Sequence, residues 1–282
     1  MSVYAARLGL SRGWREFRQS LTSAQDLFWY VFLAGAFLVV LLFQRDSTVK
    51  GTSISLALSV LPGILGLMVA LGGLQGAASA LAVEREDGTL LRAKAVPNGI
   101  IGYLTGRIVS VSLGSLLSLV IVLVPGLFLL PGLAGTGLTG WLTFLWVVVL
   151  GLLATLPYGA IIGSLARSPQ TVLGLVMLPV MGVTAISGIF YPSYALPGWV
   201  QGVAQVFPIY WLGLGMRSAF LPDSAVTAEI GDSWHRAATF GVLGIWALVG
   251  LGIAPLVLGR MARKESGSTM NARRRRALQR LT

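Results

Sequence analysis

The chain has 282 residues, 55% hydrophobic and only 11% charged, with a formal net charge of +11 and no cysteine. Its mean hydropathy of +0.80 leaves too little polar surface for a soluble domain, so it reads as an all-α polytopic membrane protein. The basic residues sit at the ends of apolar segments, where they report orientation in a bilayer rather than nucleic-acid binding; the lack of cysteine excludes disulfides, iron–sulfur clusters and thiolate zinc sites.

Residues 1–26 form a basic leader without a continuous apolar core followed by a cleavage site, so no signal peptide is expected. Within it Leu10, Trp14, Phe17 and Leu21 recur at helical spacing, with Arg12, Arg15 and Gln19 on the other side. This pattern predicts an amphipathic helix lying in the membrane interface, with Trp and Arg at headgroup depth.

The domain from 27 to 259 holds six stretches long and apolar enough to cross a hydrocarbon core of about 30 Å. They are placed at about 27–43, 54–82, 108–130, 138–165, 170–190 and 237–259. The glycine-rich stretch after Pro131 separates the third from the fourth, and Tyr191-Pro192 ends the fifth. Residues 191–220 are apolar and aromatic yet interrupted by Pro192, Pro197 and Pro208. That suits a segment that dips into the membrane packed on protein; a solvated loop is the competing reading. A basic tail, residues 260–282, contains Arg273 to Arg276 and reads as a disordered segment drawn to anionic lipid.

With both termini inside, all but Arg45, Lys50, Arg217 and Arg236 of the 21 Lys and Arg residues fall on the cytoplasmic side. A bacterial cytoplasmic membrane, crossed six times, is the expected location.

Chemistry is restricted by what the spans lack. None of the lysines Lys50, Lys94 and Lys264 lies in a phosphate-binding loop, and the single histidine, His235, sits beside Trp234 near a span end. No catalytic residue, bound cofactor or metal ligand is expected. The predicted spans also carry no ionisable group for a proton or cation relay, so energy is expected from a soluble partner acting on the cytoplasmic loops. The densest charge cluster outside the tail follows the second span: Glu84, Arg85, Glu86 and Asp87, then Gly88 and Thr89. It reads as a short amphipathic docking element.

The run from Glu84 to Arg92, with Pro97 beyond it, resembles the motif after the second span of ABC-2 type export permeases. Ser187 to Pro192, then Leu196-Pro197-Gly198-Trp199-Val200, Phe207-Pro208 and Arg217, resemble the pattern that follows the fifth span in the same family. Within the family the chain is most similar to daunorubicin-resistance permeases, which export drugs, antibiotics or lipids; polysaccharide and teichoic-acid permeases share the fold. The resemblance implies a non-enzymatic permease subunit, dimerised with an identical or paralogous copy, on two separately encoded ATPase subunits that hold ATP and Mg. It implies that Glu84 to Thr89 couple to the ATPase, with a second contact around Arg167, and that the leader helix is the interfacial connecting helix. Tyr191, Pro192, Pro197, Trp199, Phe207, Pro208 and Arg217 would belong to re-entrant half-helices roofing the outer side. The cargo would be a hydrophobic or amphipathic small molecule held between the second and fifth spans of the two permease halves. Gln75, Met177, Met181, Thr184, Ser187 and Phe190 are candidate lining residues, and intrahelical hydrogen bonding is the competing reading for the polar three. A polysaccharide permease and a non-transporting membrane scaffold are the alternative functions.

Overall fold

The computed structural model describes residues 2–48, 55–96, 99–166, 168–190 and 196–264. Arg167, Tyr191, Pro192 and the Arg273–Arg276 block lie outside the described residues. Those described are overwhelmingly helical, with no strand among them beyond an isolated bridge between Thr48 and Ser55.

Helix α1, Ser2–Ser20, turns at Leu21 and Thr22 into α2, Ala24–Gln44, whose first turn is capped by Ser23 accepting from the Asp26 amide. Next comes a rod of three parts: α3, Leu56–Leu71, a π-helical turn, Gly72–Gly76, and α4, Ala77–Asp87. It is followed by the short α5, Thr89–Lys94, and by α6, Gly99–Leu129, α7, Pro131–Ala134, and α8, Leu138–Leu165. The chain continues through α9, Pro169–Ile186, α10, Gly198–Val206, α11, Pro208–Phe220, and α12, Arg236–Lys264. Among the described residues six helices are long and apolar enough to cross a membrane: Ala24–Gln44, Leu56–Asp87, Gly102–Leu129, Leu138–Leu165, Pro169–Ile186 and Arg236–Met261.

Helix α2 starts at Ala24, ahead of 27, and α12 continues past 259 to Lys264, into the stretch read as a disordered tail; three further boundaries differ from the sequence reading, each for a local reason. The second membrane helix continues through Glu84 to Asp87, because nothing interrupts it until Gly88, which takes φ 79° and ends it. The charged run is therefore the last turn of that helix and not a separate element. Helix α6 begins at Gly99, so Arg107 lies inside it; a carboxylate on α4 makes that position tolerable, as shown below. Helix α9 stops at Ile186, where Gly188 at φ 66° turns the chain four residues before the expected end at 190.

The α3–α4 rod is the axis of the molecule and its most buried membrane helix. Small residues allow the approach: a Cβ on Gly73 would lie 1.9 Å from Thr155 Oγ1 of α8, and one on Gly66 2.8 Å from the Gly213 nitrogen of α11. On its other side α11 is buried over its whole length against α3, α8 and α12. At 13 residues it rises only about 20 Å, too short to cross a hydrocarbon core. Residues 198–220 are thus two helices joined at Phe207-Pro208, of which α11 is packed on protein while α10 buries only Val200 and Ala204; Pro208 occupies the first turn of α11, where its missing N–H leaves no bond unmade. Prolines also occur inside α3, α6, α8, α9 and α12, which neighbouring helices in an apolar layer accommodate.

Candidate functional site: the charged junction and the cleft beside it

Glu84, in the last turn of α4, is only 5% exposed. Its carboxylate accepts hydrogen bonds from the Tyr103 hydroxyl and from Arg107 Nη2, both on α6. Arg12 of α1 reaches the same carboxylate at 3.5 Å and stacks over the Tyr103 ring, its Cζ 5.3 Å from the centroid. Glu16, one turn along α1, accepts from Arg12 Nε at 2.6 Å and lies 3.7 Å from Arg107 Nη1. Two carboxylates and two guanidinium groups therefore neutralise one another at the meeting point of three helices.

Arg85 turns the opposite way. Its Nη1 donates to the carbonyls of Gly163 (3.1 Å) and Ser164 in the last turn of α8 and of Ala166 (3.2 Å) just past its end. A cation there satisfies acceptors that the helix leaves open and complements its dipole. Neighbouring residues of one helical turn thus tie α4 to α1 and α6 on one side and to α8 on the other. Asp87 faces outward; its Oδ1 accepts from the Thr89 amide at 2.8 Å, starting α5 just past the Gly88 bend. Of the predicted coupling residues, Glu84, Arg85 and Gly88 are packed inward or partly so, Glu86 and Thr89 are half-buried, and Asp87 is exposed.

The predicted apolar face of α1 is not the face that packs. Leu10 and Trp14 are each 52% exposed, Leu21 is exposed and Phe17 half-buried. Contact with α6 is made instead by Gly9 and Gly13, which face Gly102 and Gly106: a Cβ on Gly9 would stand 2.5 Å from the Gly102 carbonyl oxygen, and one on Gly13 2.4 Å from that of Gly106. The pairing of two small-xxx-small stripes brings the backbones together and aligns Arg12 and Glu16 with Tyr103 and Arg107.

Beside the junction lies a cleft of about 710 Å³ between α1, α2, the α3–α4 rod and α6. Serines give it a polar wall: Ser20, Ser23, Ser79, Ser110, Ser115 and Ser118. Tyr30 of α2 enters it over the bare backbone of Gly114. Sequence reading missed this cleft, as it missed Arg12, Glu16, Tyr103 and Arg107 as a group. The available signals were the paired glycine stripes and the i, i+4 spacings of Arg12 with Glu16 and Tyr103 with Arg107.

The predicted lining residues differ in burial. Thr184 and Ser187 are buried in the bundle, Met177 is half-buried, and Met181 and Phe190 look outward. Gln75 donates to Ser79 Oγ at 2.8 Å and Ser187 to the Val183 carbonyl at 2.6 Å, both within their own helical stretch. At the far end of the molecule Arg217 makes a buried two-point contact with Glu229, 2.5 and 3.0 Å, and donates to the Gly188 carbonyl at 3.3 Å. That latch joins α11 to the end of α9 and to the 3₁₀ turns at Asp223–Ala228 and Ile230–Asp232. Of the other roof residues, Pro197 and Trp199 are exposed, while Phe207 is half-buried and Pro208 buried.

Six apolar helices packed about the buried α3–α4 rod define, among the described residues, a polytopic membrane protein. Residues 28–259, from the start of α2 to the end of α12's apolar stretch, match the family described as ABC-2 family transporter protein. The chain belongs to that family and is a transmembrane permease subunit that works with an ATP-binding cassette subunit. No curated protein matches the chain.

Proposed function

We propose that this permease exports a hydrophobic or amphipathic small molecule, driven by ATP hydrolysed with Mg on two copies of a separate ATPase, and that it acts as a dimer with an identical or paralogous permease. Both termini lie in the cytoplasm of a bacterial cell in this reading, so the Glu84 junction faces the ATPase. The supporting observation is the double tie of α4: Glu84 to α1 and α6, Arg85 to α8. A push on the α4–α5 elbow at Gly88 is then transmitted to four helices at once, because none can shift without breaking charge-assisted bonds. Glu84 and Arg85 act as transmitting residues, while Asp87, Thr89 and the outer side of α5, with Arg167 as a second contact, meet the ATPase. The outward face of α1, with Leu10 and Trp14, lies at the membrane interface.

Purification from native membranes in mild detergent tests this reading. A stoichiometric subunit with a phosphate-binding loop, and hydrolysis stimulated by an amphipathic drug, are expected. A stable complex without any nucleotide-binding protein would favour a scaffold, and stimulation by a glycolipid alone would favour polysaccharide export.

A further inference from the structure

The cleft beside the junction has the volume of a drug-sized site, and its chemistry is asymmetric. Four carboxylates line it, Glu16, Asp26, Glu84 and Asp87, against two guanidinium groups, Arg12 and Arg107. Both guanidinium groups are taken up by Glu16 and Glu84. Asp26 and Asp87 are exposed and form no ion pair among the described residues; Asp87 accepts from the Thr89 amide and Arg92 donates to the Thr89 hydroxyl beside it, which leaves Asp26 as the anion of the lining without a cation near it. Deeper in, Ser115 is only 6% exposed, lines the cleft, and its hydroxyl has no hydrogen-bond partner. It sits over Gly72, where a Cβ would meet its Oγ at 2.1 Å. A buried hydroxyl without a partner is costly unless something else bonds it. From Arg107 to Ser118 the lining stripe of α6 rises about 16 Å, half the hydrocarbon thickness. Tyr30, Val83 and Val111 supply apolar surface along that depth.

We infer that this cleft, within each protomer, is the loading site for the cargo, and that the cargo is an amphipathic amine. Its cationic head sits against Asp26, a hydroxyl or carbonyl bonds Ser115, and its apolar body lies along Tyr30 and Val111. The inference rests on the export reading above and names the substrate class.

The test uses the purified permease in phosphatidylcholine nanodiscs, with rhodamine 6G as cationic probe and dansyl undecanoic acid as anionic probe, followed by fluorescence anisotropy. Saturable binding of rhodamine 6G, at least tenfold tighter than the anion, is expected. Asp26→Asn should weaken rhodamine 6G about fivefold, the size of a partly exposed charge contact, and leave the melting temperature unchanged. Ser115→Ala should weaken it about threefold, as loss of one neutral hydrogen bond does. No saturable binding, equal affinity for both probes, or variants that bind like the parent would overturn the assignment. Proteoliposomes carrying the permease with its ATPase separate the two readings. ATP-driven rhodamine uptake indifferent to Asp26→Asn removes the cleft and leaves the exporter. Asp26-dependent binding without any ATP-driven movement sustains the cleft and removes the exporter.

Discussion

At the scale of single residues the molecule depends on two buried ion pairs at opposite ends. Replacing Glu84 by Ala leaves Glu16 as the one carboxylate for both Arg12 and Arg107 and takes the acceptor from the Tyr103 hydroxyl. Breaking a buried pair from one side costs about 3–5 kcal/mol, so the melting temperature in detergent should fall steeply, and by less in Glu84→Gln, which keeps an acceptor for Tyr103. An unchanged melting curve for Glu84→Ala would remove the junction as a structural hub. The Arg217–Glu229 latch follows the same physics. Arg217→Ala alone should destabilise by about 3 kcal/mol, whereas adding Glu229→Ala should recover part of the loss, because no uncompensated charge then remains. A double variant worse than the sum of the two singles would contradict that account. Neither pair was fully legible beforehand. Arg217 was picked out by its place in a motif, but Glu229 lies twelve residues on, and only the folded turns at 223–232 bring it back.

At the scale of elements, α1 was read as an interfacial helix; the stripe that would meet the membrane stays open and a glycine stripe does the packing. The stripe of Leu10, Trp14, Phe17 and Leu21 correctly signals a helix, yet that face is largely left open. A lipid-facing surface and a protein-facing surface are both apolar in a membrane, so hydrophobic periodicity does not tell them apart; small residues do. Gly9→Leu or Gly13→Leu should lever α1 off α6, since a side chain there collides with backbone oxygen. Hydrogen exchange by mass spectrometry should find α1 amides exchanging on the order of tenfold faster or more, with the α3–α4 rod still protected. Unaltered protection of α1 would mean that the Arg12 and Glu16 contacts alone hold it. The pair of α10 and α11 is a mixed case. Its prolines and aromatic residues predicted a broken segment packed on protein, and α11 is buried over its whole length while α10 is largely exposed.

For the whole molecule, orientation is the property that composition argues most directly. The absence of cysteine makes it measurable with single introduced thiols at two exposed positions, Asp87 and Ser224. In intact cells Ser224→Cys should react with an impermeant maleimide, and Asp87→Cys should react only after permeabilisation; the reverse result would invert the topology and place the junction away from any cytoplasmic ATPase. The same orientation puts the mouth of the serine-lined cleft at cytoplasmic headgroup depth.

Helix number, the apolar stretches and the distribution of Lys and Arg follow from composition alone, because a bilayer demands about twenty apolar residues per crossing and retains basic loops on one side. Those demands are local along the chain and leave their mark in it. The tie between Glu84 and α1 and α6, the capping of α8 by Arg85, and the cleft that Ser115 lines were decided by tertiary structure. Each joins residues from separate helices, and its charges read in sequence as an exposed docking cluster until packing turns some of them inward.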